Sequence, residues 1–326
     1  MAVIVILGNQ VSGSGKTSLA AALLVIAHAA GKQAAYYKPF SDELEADPDV
    51  TFISQLLRDS SGGPAVPAPR PLDRMTDAAS VGEVQAETAR LESETGLVII
   101  EGPDASGNPD SPYAPSQKTL LVHRHTQQEG VGAIATQINA RGGMAGIVVN
   151  AVPIHRRDEV VRALGGLSGP LAVIPESRGM LSVTVEQLAE HLGGQWVLDP
   201  VNADAPVERF MIGGNIMDAG PTYFGRYANQ AVITRVERPD IQMACMGENT
   251  KCLVLTGPGE PTEYIKAEAL KRDVPLIQVR SNTLATVESL AGLLDKADAR
   301  TAAKASHFAG MLERYMGAET VAQLMS

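Results

Sequence analysis

The chain has 326 residues, about twice the ~150 residues of a typical domain, so its length predicts two domains. No apolar run approaches the ~18 residues of a membrane-spanning helix, and the opening run stops at Gly8, too early for a signal peptide. A net charge of -10 gives no electrostatic reason to bind DNA or RNA, so we expect a cytoplasmic protein without nucleic-acid or membrane partners.

The first predicted elements are a strand, a glycine-rich turn and a helix, in the stretch VIVILGNQVSGSGKTSLAAALL. In a phosphate loop, backbone N–H groups and the positive end of the next helix face the phosphates, a lysine neutralises charge and a hydroxyl binds Mg²⁺. We therefore expect ATP with Mg²⁺ as ligands. The predicted nucleotide-binding residues are Gly13, Ser14, Gly15, Lys16, Thr17 and Ser18, with Thr17 also a metal ligand.

The spacing of this turn departs from the strict phosphate-loop motif. That motif would place a glycine at position 10, where the chain has Gln10, and the first glycine here is Gly8. The lysine, the hydroxyl residue and both later glycines are nevertheless present. The turn therefore predicts a phosphate loop with a longer first spacing.

The next predicted strands end in charged residues. The second strand ends at Lys38, and the buried strand in GLVIIEG ends at Glu101. A carboxylate at the carboxyl end of an apolar strand suits a Mg²⁺ site beside the phosphates of an open α/β sheet. Glu101 is therefore a predicted metal ligand. Further along, His123 and His125 flank Arg124 at a strand end, where we expect a solvated turn rather than a catalytic pair.

Residues 1–196 resemble dethiobiotin synthetase, and most closely the similar N-terminal region of long bacterial phosphotransacetylases. The segments that carry the resemblance are the glycine loop, YKP, IEG, MAGIVVNAVP and LAVIPESRGMLSVTVEQLAEHLGG. The resemblance implies an α/β fold, a P-loop NTPase domain with a mostly parallel sheet flanked by helices. Where the synthetase has Glu-Gly-Ala-Gly-Gly, this chain has EGPDASG.

The same resemblance implies roles for individual residues. Asp49 would be a further Mg²⁺ ligand, and Lys38 would contact the substrate or the γ-phosphate. Asn150 and the turn around Pro175 would line the adenine side of the nucleotide site. The candidate catalytic residues are then Lys16, Lys38 and Glu101.

A second domain is predicted after a change of composition. Residues 197–206 are rich in proline and carboxylates and predict a linker. Residues 207–300 resemble the DRTGG domain, a smaller α/β domain that follows the synthetase-like region in those phosphotransacetylases. The resemblance rests on Val236-Glu237-Arg238, Asp240 and Thr256-Gly257-Pro258. Arg238 either binds a phosphorylated small molecule or pairs with Glu237 or Asp240 on the surface.

Residues 301–326 predict a C-terminal helix. Its apolar residues at helical spacing are Phe308, Met311, Leu312 and Tyr315. Such a stripe either packs on the rest of the fold or joins two copies, and we expect a homodimer. The two cysteines, too few for a disulfide framework or a structural zinc site, are expected to be buried thiols.

Two functions remain open from the sequence. In the first, ATP and Mg²⁺ bind the first domain of a regulatory module, whose second domain takes a small-molecule or protein partner. In the second, the chain is an ATP-dependent ligase that activates a small carboxylate by phosphoryl transfer. Both use Lys16, Thr17 and Glu101, while the altered EGPDASG stretch and the second domain favour regulation. A ParA-like ATPase would need a lysine at position 10, and no acetyl-transfer domain is in the sequence, so neither activity is expected.

Overall fold

The computed structural model describes residues 2–9, 13–60, 63–103, 113–126, 130–139, 143–167, 169–214 and 220–326. Two compact units are found, and each has its own sheet. The first unit combines Met1–Ser177 with Ala299–Ser326, and the second unit is Arg178–Asp298. The second unit is therefore inserted into the sequence of the first.

The helices and strands of the described residues are numbered from the N-terminus to the C-terminus. They are β1 (Ala2–Gly8), α1 (Lys16–Ala29), β2 (Ala35–Tyr37), β3 (Phe40–Ser41), α2 (Pro48–Ser60), β4 (Arg70–Pro71), α3 (Ala78–Thr95), β5 (Leu97–Glu101), β6 (Lys118–Arg124), α4 (Val131–Asn139), β7 (Gly146–Val152), α5 (Arg157–Leu164), β8 (Leu171–Pro175), α6 (Arg178–Leu181), β9 (Val183–Thr184), α7 (Val185–Leu192), β10 (Gln195–Trp196), β11 (Pro206–Val207), β12 (Arg209–Gly213), α8 (Gly220–Phe224), β13 (Gln230–Arg235), α9 (Pro239–Cys245), β14 (Thr250–Thr256), α10 (Glu263–Lys271), β15 (Leu276–Val279), α11 (Thr283–Ser289), α12 (Ala302–Met316) and α13 (Ala318–Leu324).

The main sheet of the first unit has the strand order β2-β5-β1-β6-β7-β8, and all its pairs are parallel. Parallel sheets are covered on both faces, which explains why β1 and β5 are continuous apolar runs. The register pairs Ile6 of β1 with Glu101 of β5, so the end of β5 lies beside the start of the glycine loop. The predicted α/β fold, with a mostly parallel sheet flanked by helices, is confirmed.

Helix α1 is buried along most of its length because it is built almost entirely of Ala, Leu, Val and Ile. Helix α12 packs against α1 and against β8. Phe308 and Leu312 are buried on α12, while Met311 and Tyr315 are half-buried. The predicted C-terminal helix is thus two helices, and α12 packs on the fold of its own chain.

The second unit is a smaller α/β unit with the strand order β10-β15-β14-β13-β12. Strands β12 to β15 pair in parallel, and β10 pairs antiparallel with β15. Apolar clusters fill both faces of this sheet, and the two cysteines are buried free thiols, as predicted. Among the residues that the structure describes, no helix has the length and hydrophobicity to span a membrane.

The two units divide at 177/178, ahead of the linker predicted at 197–206. Leu188 of α7 packs in a core of the second unit, and Trp196 pairs with Ile277 of β15. The change of composition at 197–206 therefore marks a surface connection inside the second unit. The last strand of the main sheet of the first unit lies before that point in the sequence, and residues 299–326, which follow the second unit, belong to the first unit again.

Candidate functional site

The glycine loop connects β1 to α1 at the carboxyl edge of the main sheet. Gly13 and Gly15 have φ angles of 71° and 101°, the left-handed region that glycine adopts without strain. A Cβ atom on Gly15 would lie 2.7 Å from Asn150 Nδ2. The backbone here approaches a neighbouring side chain so closely that only glycine fits without displacement. Residues 10–12, including Gln10, lie outside the described part of the chain.

The start of α1 has the features of an anion site. The N-cap residue of α1 is Gly15, which has no side chain to hydrogen-bond the positive end of the helix, so this residue leaves that end open to an anion. Ser14 is buried, and its Oγ has no hydrogen-bond partner among the described atoms. Buried hydroxyls are normally paired, so an unpaired one at a helix N-terminus fits a ligand that accepts hydrogen bonds. Ser18 lies half-buried in the first turn of α1.

Two of the predicted metal ligands, Thr17 and Glu101, contact each other. Thr17 Oγ1 donates a hydrogen bond to Glu101 Oε1 at 3.1 Å, and Tyr36 OH donates to Oε2 at 2.8 Å. Burial of the carboxyl group, together with the charge of Asp49, raises the pKa of Glu101 to about 7, although Lys38 and Lys16 oppose this rise. Burial likewise raises the pKa of Tyr36 well above its usual value. Glu101 is therefore a buried carboxyl group beside the loop, poised to bind a cation.

Lys38 and Asp49 form a second cluster at the same edge. Lys38 Nζ lies 2.7 Å from Asp47 Oδ2 and 2.6 Å from Asp49 Oδ2, and Arg300 Nε donates to Asp49 Oδ1 at 2.8 Å. Burial alone would lower the pKa of Lys38, but its bonds to both carboxylates raise it. Burial would raise the pKa of Asp49, but Lys38 and Arg300 lower it. This cluster is an ionised network of two carboxylates and two cations.

The third predicted metal ligand, Asp49, is close enough to Glu101 for its charge to act on that carboxyl group. Both oxygens of Asp49 face cations, Lys38 on one side and Arg300 on the other, and its role as a metal ligand stays a prediction. In the described ranges, no group of three or more His, Cys, Asp or Glu side chains is placed to hold a metal ion. Mg²⁺ commonly needs only one or two carboxylates beside phosphates and waters, and Glu101 supplies one, with the Thr17 hydroxyl next to it.

Asn150 and Pro175 lie at the carboxyl ends of the neighbouring strands β7 and β8. Asn150 Oδ1 accepts a hydrogen bond from the Ala151 backbone N–H at 2.7 Å, and Ala151 has a left-handed φ of 56°. Pro175 pairs with Val152 in the register of the two strands. Asn150 is thus next to the loop through Gly15, while the role of both residues in binding adenine stays a prediction.

Sequence reasoning missed several residues of this site. The run Asp47-Pro48 is a typical helix start, and Asp47 caps α2 by accepting from the backbone N–H groups of Asp49 and Val50, so this residue was detectable. Tyr36 and Arg300 carried no local signal in the sequence.

The expectation of a solvated turn at the end of β6 is wrong for its histidines. His123 is fully buried, and its Nδ1 lies 2.9 Å from Asn9 Nδ2 of the glycine loop. His125 is also buried. Arg124 is exposed, and its Nη1 donates to the carbonyl oxygen of Gly13 at 3.5 Å. The end of β6 therefore supports the glycine loop.

The second unit has a glycine turn of its own at the carboxyl end of β14. Gly257 and Gly259 have φ angles of 97° and 114°, and Thr256 Oγ1 lies 2.8 Å from Thr283 Oγ1. Arg238 forms a two-bond ion pair with Asp240, at 2.9 and 2.7 Å, on the protein surface. Of the two alternatives for Arg238, the structure shows the pairing with Asp240.

Two family models match this chain. Residues 5–115 match the model of an AAA domain, and residues 187–293 match that of the DRTGG domain. The chain carries an AAA domain followed by a DRTGG domain. This domain order confirms the dethiobiotin-synthetase-like P-loop domain and the DRTGG domain that the sequence motifs predicted.

The solved structures that resemble this chain are distant from it. The signal recognition particle receptor FtsY of Elizabethkingia anophelis, in complex with GDP, is 16% identical over 52% of this chain and has a TM-score of 0.37. The chain covers only 55% of that receptor. Cobyrinic acid a,c-diamide synthase of Mycobacterium smegmatis, with bound ADP and magnesium, is 16% identical over 55% of this chain and 88% of the synthase, with a TM-score of 0.39.

A third structure contains a DRTGG domain. It comprises the CBS and DRTGG domains from the regulatory region of Clostridium perfringens pyrophosphatase, complexed with the activator diadenosine tetraphosphate. It is 15% identical over 47% of this chain and 75% of its own, with a TM-score of 0.30. At these TM-scores the likenesses are remote, so any functional conclusion depends on the residues of this chain.

Proposed function

We propose that the AAA domain binds ATP with Mg²⁺ at the glycine loop, and that the chain is a nucleotide-dependent regulatory module. The observation that carries this proposal is the hydrogen bond between Thr17 and Glu101 at the start of α1. A hydroxyl at a helix N-terminus and a buried carboxylate are the two protein ligands that a Mg²⁺ ion bound to phosphates needs.

The remaining residues of the loop support the same ligand. Gly13 and Gly15 allow the backbone to approach the phosphates, and the buried Ser14 Oγ has no described partner. Lys16 begins α1 and would neutralise phosphate charge at its positive end. The bound ion would supply charge neutralisation between the phosphates. The protein groups orient the nucleotide, which is most of what phosphoryl chemistry requires from a protein.

A regulatory role further requires a second ligand, which we assign to the DRTGG domain. Its strands β13 and β14 end in the neighbouring positions Arg235 and Thr256, and the glycine turn at Gly257 follows. Ligands of open parallel sheets bind beyond the carboxyl ends of the strands. This edge is therefore the proposed place for a small-molecule or protein partner.

The test of nucleotide binding is a thermal shift measurement with Mg-ATP. Ligand at about 100 times its Kd should add about 2.7 kcal/mol to the free energy of unfolding. Lys16→Ala should abolish this shift, while Lys271→Ala, which removes an exposed lysine of the second unit, should preserve it. No shift in the parent protein at millimolar Mg-ATP, or an unchanged shift in Lys16→Ala, would contradict the proposal.

The ligase alternative is separated by turnover. A regulatory module should release phosphate slowly and at a rate that added small carboxylic acids do not change. An ATP-dependent ligase should instead show steady turnover that rises with its carboxylic acid substrate. Phosphate release measured with a panel of such acids therefore distinguishes the two functions, and a rise with any one acid would assign the chain to the ligases.

A further inference from the structure

Arg300 reaches the candidate site from a distant part of the sequence. It follows Ala299, the residue at which the chain rejoins the first unit after the second unit. Its Nε donates to Asp49 Oδ1 at 2.8 Å, across a separation of 251 positions. The glycine loop and its neighbouring strands therefore do not complete the site, because one cation is added from this returning segment.

The carboxylate of Asp49 is held from two sides. Lys38 Nζ binds Oδ2, and Arg300 Nε binds Oδ1. The side chain of Asp49 is 12% exposed, against 36% for Arg300, so the carboxylate is shielded while the arginine contacts solvent. Hydrogen bonds between ionised partners are short and strong, and two of them on different oxygens fix the orientation of a carboxylate. Loss of Arg300 would remove the described partner of Oδ1 and leave Lys38 on Oδ2.

We propose that Arg300 is a positioning residue of the nucleotide site, which acts by holding the carboxylate of Asp49 and, through it, the ammonium group of Lys38. This inference rests on the proposed function, because it concerns the binding of Mg-ATP. The charges of Asp49 and Lys38 both act on Glu101, the carboxyl group that we propose binds Mg²⁺ together with Thr17. Arg300 therefore acts at the metal side of the site, so it affects Mg-ATP and has little effect on metal-free ADP.

Isothermal titration calorimetry of the full chain tests this role with two ligands, Mg-ATP and ADP without metal. Arg300→Gln should raise the Kd for Mg-ATP about ten-fold, equivalent to about 1.4 kcal/mol, and should change that for ADP by less than about two-fold. Arg300→Lys keeps the charge and should recover most of the loss. Arg314→Gln, at an exposed position of the helix α12 that follows, is the matched control and should behave like the parent protein.

A double-mutant cycle then tests whether Arg300 acts through its partner. In an Asp49→Asn background, Arg300→Gln should cause no further loss of Mg-ATP affinity, because the carboxylate that it holds is already absent. Full additivity of the two substitutions would overturn the role. A parent-like Arg300→Gln variant would overturn it too. If Arg300→Gln lowers the affinity for Mg-ATP and for ADP equally and also lowers the melting temperature, the contribution of Arg300 is purely structural and the positioning role is contradicted as well. A parent protein that binds no Mg-ATP would instead contradict the proposed function itself.

Discussion

Replacement of Glu101 by Gln should make the stability of the ligand-free protein less sensitive to a rise in pH from 5 to 8. The folded state holds the proton of Glu101 up to about pH 7, whereas the unfolded chain releases it near the ordinary value of 4.5. The folded state therefore binds more protons in this window, and stability falls as the pH rises. The contribution of Glu101 to the stability of the folded state is complete below about pH 4.5 and is lost as the pH rises through 7.

The size of the effect follows from the two pKa values. Each pH unit between them is worth about 1.36 kcal/mol, so deprotonation of Glu101 should cost about 2 to 3 kcal/mol between pH 5 and pH 8. Glutamine keeps a side-chain acceptor for Thr17 or Tyr36 and carries no charge. The free energy of unfolding of Glu101→Gln, relative to that of the parent, should therefore rise by this amount between pH 5 and pH 8.

Urea unfolding at pH 5, 6, 7 and 8, with a chelator and without nucleotide, measures this difference. The comparison with the parent cancels the titration of every other group that both proteins share. Glu45→Gln removes an exposed carboxylate of the same unit and should follow the parent curve. If Glu101→Gln and the parent lose stability in parallel across this range, the buried carboxyl group is not protonated in the folded state and the reasoning is refuted.

Two further predictions concern the glycine loop and the unit boundary. Gly15→Ala should lower the free energy of unfolding by about 1 to 3 kcal/mol, because it strains a left-handed residue and displaces Asn150, and it should also weaken Mg-ATP binding. Gly82→Ala, on the open face of α3, should be neutral or stabilising, and thermal unfolding of both variants measures the difference. The fragment 178–298 should unfold cooperatively when expressed alone, while 207–326 should not, because it lacks α7 and β10 and carries helices of the first unit; circular dichroism during heating distinguishes the two fragments.

The parts of the site that could be predicted from the sequence are local. A strand, a glycine turn and a helix within some 30 residues define the loop, and the strand that ends at Glu101 is apolar up to its last residue. The hydrogen bond between Thr17 and Glu101 then follows from the pairing of β1 with β5. Strand ends of a parallel sheet meet at one edge, so their residues are brought together without knowledge of the side chains.

The parts that could not be predicted depend on contacts between distant segments. Arg300 and Asp49 lie 251 positions apart, and no periodicity or spacing links them. His123 is buried on β6, a strand that lies between β1 and β7, and it contacts Asn9, which is 114 positions away in the sequence. The predicted unit boundary is displaced because proline and carboxylates at 197–206 indicate solvent exposure, which surface connections within a unit share with linkers between units.

The insertion of the second unit into the first also determines the order in which the chain can fold during synthesis. Helix α12, which covers α1 and β8, leaves the ribosome only after the whole of Arg178–Asp298. At about 5–20 residues per second, the roughly 120 inserted residues keep the apolar side of α1 uncovered for about 6 to 24 seconds. The strands of the first unit's main sheet are synthesised before the inserted unit, but the helix that covers α1 and β8 is synthesised after it. The unit that begins the sequence is therefore the last to be finished, and its Asp49 meets Arg300 only at that final step.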